Sequence, residues 1–252
     1  MDKTRDPSRR RRRRQRSAAP RAQLNDATLP GTITADLLRI AIATSIVLAA
    51  AIHPRAASGQ DQPPPIGPFV IDVRGTSPSF PDDALLAESR GLSVDELPGR
   101  GLGFDAGAHL YLFKWRVITV GVGAQMTFAR AASGAVVQDG VEIARAVTSW
   151  FTAFTPQLSF NFGNGDGWSY ISGGIGKGVW STVPDAQQPL PADEERLTSI
   201  NYGAGARWFA KPHVAFTFDV RFHEIYPGTP HGGLPGSPRL NMLIIGAGVS
   251  VK

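Results

Sequence analysis

The chain has 252 residues, no cysteine, 28 glycines and a formal net charge of +5. Without cysteine there is no disulfide framework, thiol nucleophile or cysteine-based metal site. The positive charge is concentrated at one end. Residues 1–59 carry a net +8 and residues 60–252 a net −3, so the main body is not the basic surface a nucleic acid would need.

Residues 1–59 open with six consecutive arginines, Arg9 to Arg14, and continue polar to Asp36. An apolar run from Leu37 to Ile52 follows, then the small residues Ala57, Ser58 and Gly59. A basic stretch, an apolar stretch and a small-residue exit predict a secretory signal, cleaved near Gly59. The apolar run after Arg39 is shorter than the ~20 residues a membrane-spanning helix requires. An arginine-rich arm for nucleic acid is the alternative, but the export segment directly behind it argues against a nucleic-acid partner. Residues 60–68, rich in proline, read as a short stiff tether.

Residues 69–252 then divide into eight strand-like segments, at about 69–75, 101–113, 115–130, 149–162, 168–180, 197–210, 213–225 and 240–251. The third is the clearest. Ile118, Val120, Val122, Ala124, Met126 and Phe128 alternate with Thr119, Gly121, Gly123, Gln125 and Thr127, the period of a strand with one apolar face. Phe154, Leu158, Phe160 and Phe162 repeat the pattern in the fourth segment, and Phe216, Phe218, Val220 and Phe222 in the seventh. The connections alternate too. Lys114, the Gly163–Gly167 stretch and Lys211-Pro212 make short turns, whereas residues 76–100, 131–148, 181–196 and 226–239 form long loops. In an up-and-down barrel this puts every long loop at one end.

One face of each segment is bulky and apolar, the other small and polar. A ligand-binding barrel in water would need the reverse. Turned into lipid, the bulky face is satisfied, the small face fills an eight-stranded lumen, and closure leaves no unpaired edge. The sequence therefore predicts an all-β, eight-stranded antiparallel transmembrane barrel with periplasmic turns and extracellular loops. Trp115, Trp168 and Trp208 fall at the turn ends of their segments, and Trp150 and Trp180 at the loop ends, suggesting two aromatic girdles.

On these features the chain resembles the small eight-stranded outer-membrane barrels, the OmpA/OmpX-like group. The resemblance covers about residues 69–252. Its most specific local feature is the last segment, where Gly246, Val249 and Val251 are similar to the terminal signal read by the barrel-assembly machinery. Ile244 replaces the usual polar residue two before that glycine, and Lys252 follows where an aromatic residue is usual. The resemblance implies a bacterial outer-membrane location, surrounding outer-membrane lipid, the assembly machinery as partner, and extracellular ligands for the four loops.

The inward face collects Asp72, Arg74, Asp105, His109, Gln125, Gln157, Arg207, Asp219 and Arg221, with His223 near its end. Three acids and three arginines can pair completely, which predicts a plug of ion pairs rather than a polar pathway. A narrow passive pore lined by the same charges is the alternative. A lipid-modifying enzyme is a third reading, but His223 and Glu224 are strand neighbours on opposite faces and cannot act as base and orienter. The stretch from Gly173 to Gly178 lacks the Gly-Lys-Ser/Thr ending and the helix of a phosphate loop. Lys177 within it faces outward. No catalytic, metal or cofactor motif emerges, and the expected role is structural or surface-binding.

Overall fold

The computed structural model describes residues 64–252. The predicted leader and signal, residues 1–59, and the start of the tether, 60–63, lie outside the described residues. Ten strands follow: β1 (Phe69–Ser79), β2 (Gly101–Trp115), β3 (Ile118–Ser133), β4 (Val136–Gln138), β5 (Val141–Ala144), β6 (Val147–Asn164), β7 (Gly167–Pro184), β8 (Arg196–Lys211), β9 (Val214–Ile225) and β10 (Leu240–Val251). Eight of them close a barrel in the order β1-β10-β9-β8-β7-β6-β3-β2, while β4 and β5 form a separate hairpin in the second loop. All barrel pairs are antiparallel, and the seam joins the two ends of the domain, with Asp72 opposite Ser250 and Val73 opposite Val249.

The short connections are each two residues long and differ in position or length from those the sequence suggests. The first turn is Arg116-Val117 rather than Lys114, which stays in β2; a register shift between Tyr111 and Phe113 advances the strand by one residue. The five-residue glycine stretch reduces to the turn Gly165-Asp166, where the Asn164 side chain accepts from the Asp166 amide at 2.8 Å. The third turn is Pro212-His213. At the other end, strands continue into the expected loops: β1 reaches Ser79, β3 reaches Ser133, and β7 reaches Pro184. The strands β6 and β7, 18 residues each, span roughly 45 Å when tilted, beyond the ~30 Å hydrocarbon layer.

The outer wall is a continuous apolar band. Phe104, Leu110, Met126, Phe154, Leu158, Ile171, Ile175, Tyr202, Phe218, Phe222 and Ile245 are all exposed there. Proteins in water rarely expose apolar patches beyond a few hundred Å². A band encircling the molecule is a lipid-facing surface.

The tryptophans divide. Trp115, Trp150 and Trp208 are 63%, 47% and 55% exposed on the outer wall, at the two rims. Trp168 and Trp180 are 3% and 1% exposed and point inward, so the two girdles drawn from all five tryptophans are corrected to these three outward residues. The reason is parity. On β7 the even-numbered positions Trp168, Tyr170, Ser172, Trp180 and Thr182 face the lumen, and Ile171, Ile175 and Lys177 face out. A position near a strand end sets the depth of a side chain, not its face.

Both inward tryptophans anchor apolar stoppers. At the loop end Trp180 packs against Phe80 and Phe151, with ring centroids 5.1 and 5.9 Å away. Around them Leu86, Ala87 and Leu97 from the first loop meet Leu197, Ile225, Leu240, Met242 and Ile244 from the wall. The loop is held in place by a short helix α1 (Ala84–Glu88), whose N-terminal amides at Leu85 and Leu86 are capped by Asp83 at 2.8 and 3.1 Å. At the turn end Trp168 stacks on Phe209 at 5.0 Å and meets Tyr111 edge-on at 5.7 Å. The tether folds back over this end. Ile66 is buried with Val70, Trp168 and Tyr170, and the Gly165 amide donates to the Pro64 carbonyl at 2.5 Å.

Candidate functional site: the lumen and its loop cap

Between the stoppers lies a polar layer to which all eight barrel strands contribute. The side chain of Arg207 on β8 grips Asp72 on β1 with two bonds, Nε to Oδ1 at 2.8 Å and Nη2 to Oδ2 at 2.6 Å. Ser250 on β10 also donates to Asp72, at 2.5 Å. Arg74 on β1 donates from Nε to Oδ1 of Asp105 on β2 at 2.7 Å, and its Nη1 donates to the Tyr170 hydroxyl at 3.0 Å. That hydroxyl donates in turn to Asp219 at 2.7 Å. Arg221 holds both oxygens of Asp219 at 3.1 Å and donates to Ser172 and Asn201 at 2.7 and 3.3 Å. The chain of bonds ends at Gln157 on β6, which donates to Asn201 at 3.1 Å and to Gln125 on β3 at 2.9 Å. The Arg207 guanidinium also lies 4.0 Å from the centre of the Tyr170 ring, joining the two halves.

All three acids and all three arginines of this layer are engaged, so it carries no net charge. Burying ions costs several kcal/mol each, a cost offset here by close pairing and the further hydrogen bonds around each pair. Small residues elsewhere on the inner wall make room: a Cβ at Gly123 would run into the Ala108 carbonyl and the His109 ring.

Of the residues singled out in the sequence, Asp72, Arg74, Asp105, Gln125, Gln157, Arg207, Asp219 and Arg221 therefore meet in one network. His109 is buried in the lumen, and among the described residues neither of its ring nitrogens has a hydrogen-bond partner. His223 is similar, packed edge-on against Phe151 at 5.3 Å. Its neighbour Glu224 points outward and pairs with Arg239 at 2.6 Å, so the two do not meet. Sequence reasoning missed Tyr170, Ser172, Asn201 and Ser250. Their parity was readable; their pairing, across the barrel, was not. On β10, Gly246 faces the lumen opposite Thr76, while Val249 and Val251 face outward. Among the described residues no three His, Asp or Glu side chains gather as a metal site.

Outside the membrane the loops are clipped together. Glu96 accepts from the Arg145 side chain at 2.7 Å, the Arg145 amide at 3.0 Å and the Ser93 amide at 2.7 Å, tying the first loop to the second. These bonds, the Arg145 side chain foremost, hold its carboxyl down at about 2 against the opposing effect of burial. Arg90 and Asp193 pair at 2.8 Å between the first and third loops. Glu195 accepts from Thr229 of the fourth loop at 3.0 Å. Beside the first of these clips an open cleft of about 680 Å³ is lined by Glu96, Glu142, Arg145 and Asp185.

Apolar outside, polar within and closed by eight antiparallel strands, the molecule is a transmembrane β-barrel with the architecture of the small outer-membrane barrels. Among solved structures it is similar to neisserial surface protein A, with 12% identity, a TM-score of 0.45 and coverage of 74% of this chain and 97% of that one. It is also similar to Ail, the attachment invasion locus protein of Yersinia pestis, in complex with the heparin analogue sucrose octasulfate, at 16% identity, TM-score 0.41 and coverage of 72% and 97%. A third likeness is to the outer-membrane protease OmpT of Escherichia coli, at 9% identity, TM-score 0.35 and coverage of 78% and 99%. No protein-family model matches the chain, and no curated protein matches it in sequence.

Proposed function

We propose that this is an exported outer-membrane protein whose barrel is closed to passage and whose role is structural or surface-binding, carried by the four extracellular loops. The observation that supports a closed barrel is the filling of the lumen: the neutral network around Arg207 and Asp72 lies between an apolar stopper built on Trp180 and another built on Trp168. An ion crossing this path would have to part paired charges and then enter apolar packing at both ends. The mutual clips through Glu96, Asp193 and Glu195 support a role for the loops as one ordered surface, with the cleft beside Arg145 as its recess. Export rests on the leader, and insertion by the barrel-assembly machinery rests on Gly246, Val249 and Val251 of the last strand. A non-enzymatic role is favoured by the opposed faces of His223 and Glu224.

The test is conductance of the purified full-length protein in a planar bilayer. Insertion without single-channel steps is expected. Sustained steps from folded protein, identified by its faster migration on a gel when unboiled, would replace this reading with that of a narrow pore.

A further inference from the structure

On the wall built by β3, β6, β7 and β8 the outward side chains form aligned rows. One row runs Met126, Phe154, Lys177 and Thr198; the next toward the loops runs Phe128, Thr152, Val179 and Arg196. Between these rows the surface is hollowed into a groove of about 320 Å³, at the lower end of the roughly 300–1,000 Å³ typical of ligand sites. Its floor is apolar, from Met126, Phe128, Phe154 and Val179, and two cations, Lys177 and Arg196, stand at one side.

These cations are out of place on a wall facing lipid. A Lys or Arg there is most destabilising at the bilayer midplane and much less so near the interface. Arg196 is the first residue of β8 at the loop end, and Lys177 lies one row deeper. Neither has a carboxylate within ion-pair distance among the described residues; Lys177 donates only to the Thr198 hydroxyl, at 3.0 Å. The contrast with the adjoining strands β9 and β10 is informative. There, at the same rim, the exposed Arg239 is neutralised by Glu224 at 2.6 Å. Arg130, further along the groove wall toward the loops, covers the Trp150 ring at 4.9 Å, an arrangement suited to the headgroup level.

We propose that this groove is a binding site for an anionic phospholipid of the surrounding leaflet. The phosphate sits between Lys177 and Arg196, and an acyl chain lies over Met126, Phe128, Phe154 and Val179. Charge complementarity selects the headgroup, because the two cations otherwise face lipid without a counter-charge. The groove selects a lipid over a free anion, because its apolar floor gains only from a chain.

The experiment uses the full-length protein in detergent micelles, with lipid retention followed by native mass spectrometry. Phosphatidic acid is the probe, against phosphatidylcholine and inorganic phosphate. Phosphatidic acid should be retained about tenfold more tightly than phosphatidylcholine, equivalent to ~1.4 kcal/mol. The double variant K177Q/R196Q should lose that preference, and the charge-conserving K177R/R196K should keep most of it. The gel shift between boiled and unboiled samples verifies folding of each. If K177Q/R196Q does not assemble, the single variants R196Q and K177Q serve, each expected to lose part of the preference. An undiminished preference in the glutamine variants would overturn the site. So would displacement of the lipid by inorganic phosphate at comparable concentration, which would leave only a pair of surface cations.

Discussion

The lumen is filled in two different ways, and the boundary between them runs across the strands rather than along them. Near its middle the inner wall offers Asp72, Arg74, Asp105, Asp219 and Arg221, which close on one another. Toward the loops β10 and β6, which give Ser250 and Gln157 to that layer, offer Met242, Ile244, Leu240 and Phe151, which close on apolar residues of the first loop. The first kind of filling is held by geometry: each charge is tolerable only because its partner is present. The second is held by volume and by water exclusion, and each side chain contributes on its own. The barrel thus combines a layer that fixes which residues meet with a layer that supplies ordinary burial.

The largest effect should come from breaking the first layer. Asp72→Ala strands the Arg207 guanidinium in the interior and should cost about 3–5 kcal/mol, read from urea titration of refolding in detergent micelles. The double variant D72L/R207M should recover most of the loss, since it removes both charges. If Asp72→Ala costs less than ~1 kcal/mol, the polar layer is hydrated and the contrast between the two regions fails. A second test compares neighbours on β10. Ile244 is 2% exposed within the loop-end stopper, while Ile245 is 44% exposed to lipid. Ile244→Ala should cost about 2–5 kcal/mol, and Ile245→Ala about 1–2 kcal/mol less, because only the first leaves a cavity that lipid cannot refill. Equal costs would mean that the stopper is loosely packed.

How much of this was readable beforehand follows the same division. Eight strands and the alternation of long and short connections were legible because a strand's period of two is local and each connection carries its own turn residues. Face was legible wherever a strand alternates in polarity, as in β3 and β9. On β7 it was legible only at Lys177, read outward; the glycines between Gly173 and Gly178 carry no polarity, and Trp168 and Trp180 were placed by depth rather than by counting from Lys177. It was also blurred on β10, where Met242, Leu243, Ile244 and Ile245 are apolar on both faces because that part of the lumen is apolar. Pairing was not legible at all. Asp72 and Arg207 are 135 residues apart, and the partner of Tyr170 is fixed by how the barrel closes. The stopper residues Phe80, Leu86 and Leu97 were hidden for a related reason: a loop has no period, so only the folded barrel shows which of its residues turn inward.

The smallest expected effect concerns the cap above both layers, where solvent can reach an ion pair. The Glu96 carboxyl is held at about 2 by the Arg145 side chain, aided by the Ser93 and Arg145 amides and opposed by burial. Because this value is below the ordinary one, 4.5, the clip contributes fully above the ordinary value and is lost as pH falls toward the lowered one. Arg145 is 40% exposed, so the contribution is at most about 1 kcal/mol. Hydrogen-exchange protection of the Ser93 and Arg145 amides should therefore fall as the solution is acidified below about pH 3, after correction for intrinsic rates. Amides of the barrel strands should be unaffected over the same range. Glu96→Gln should lower protection of the two loop amides at neutral pH and flatten its pH dependence. Protection that persists in acid in the unaltered protein would show that the loops are held by the apolar stopper beneath them rather than by the clip.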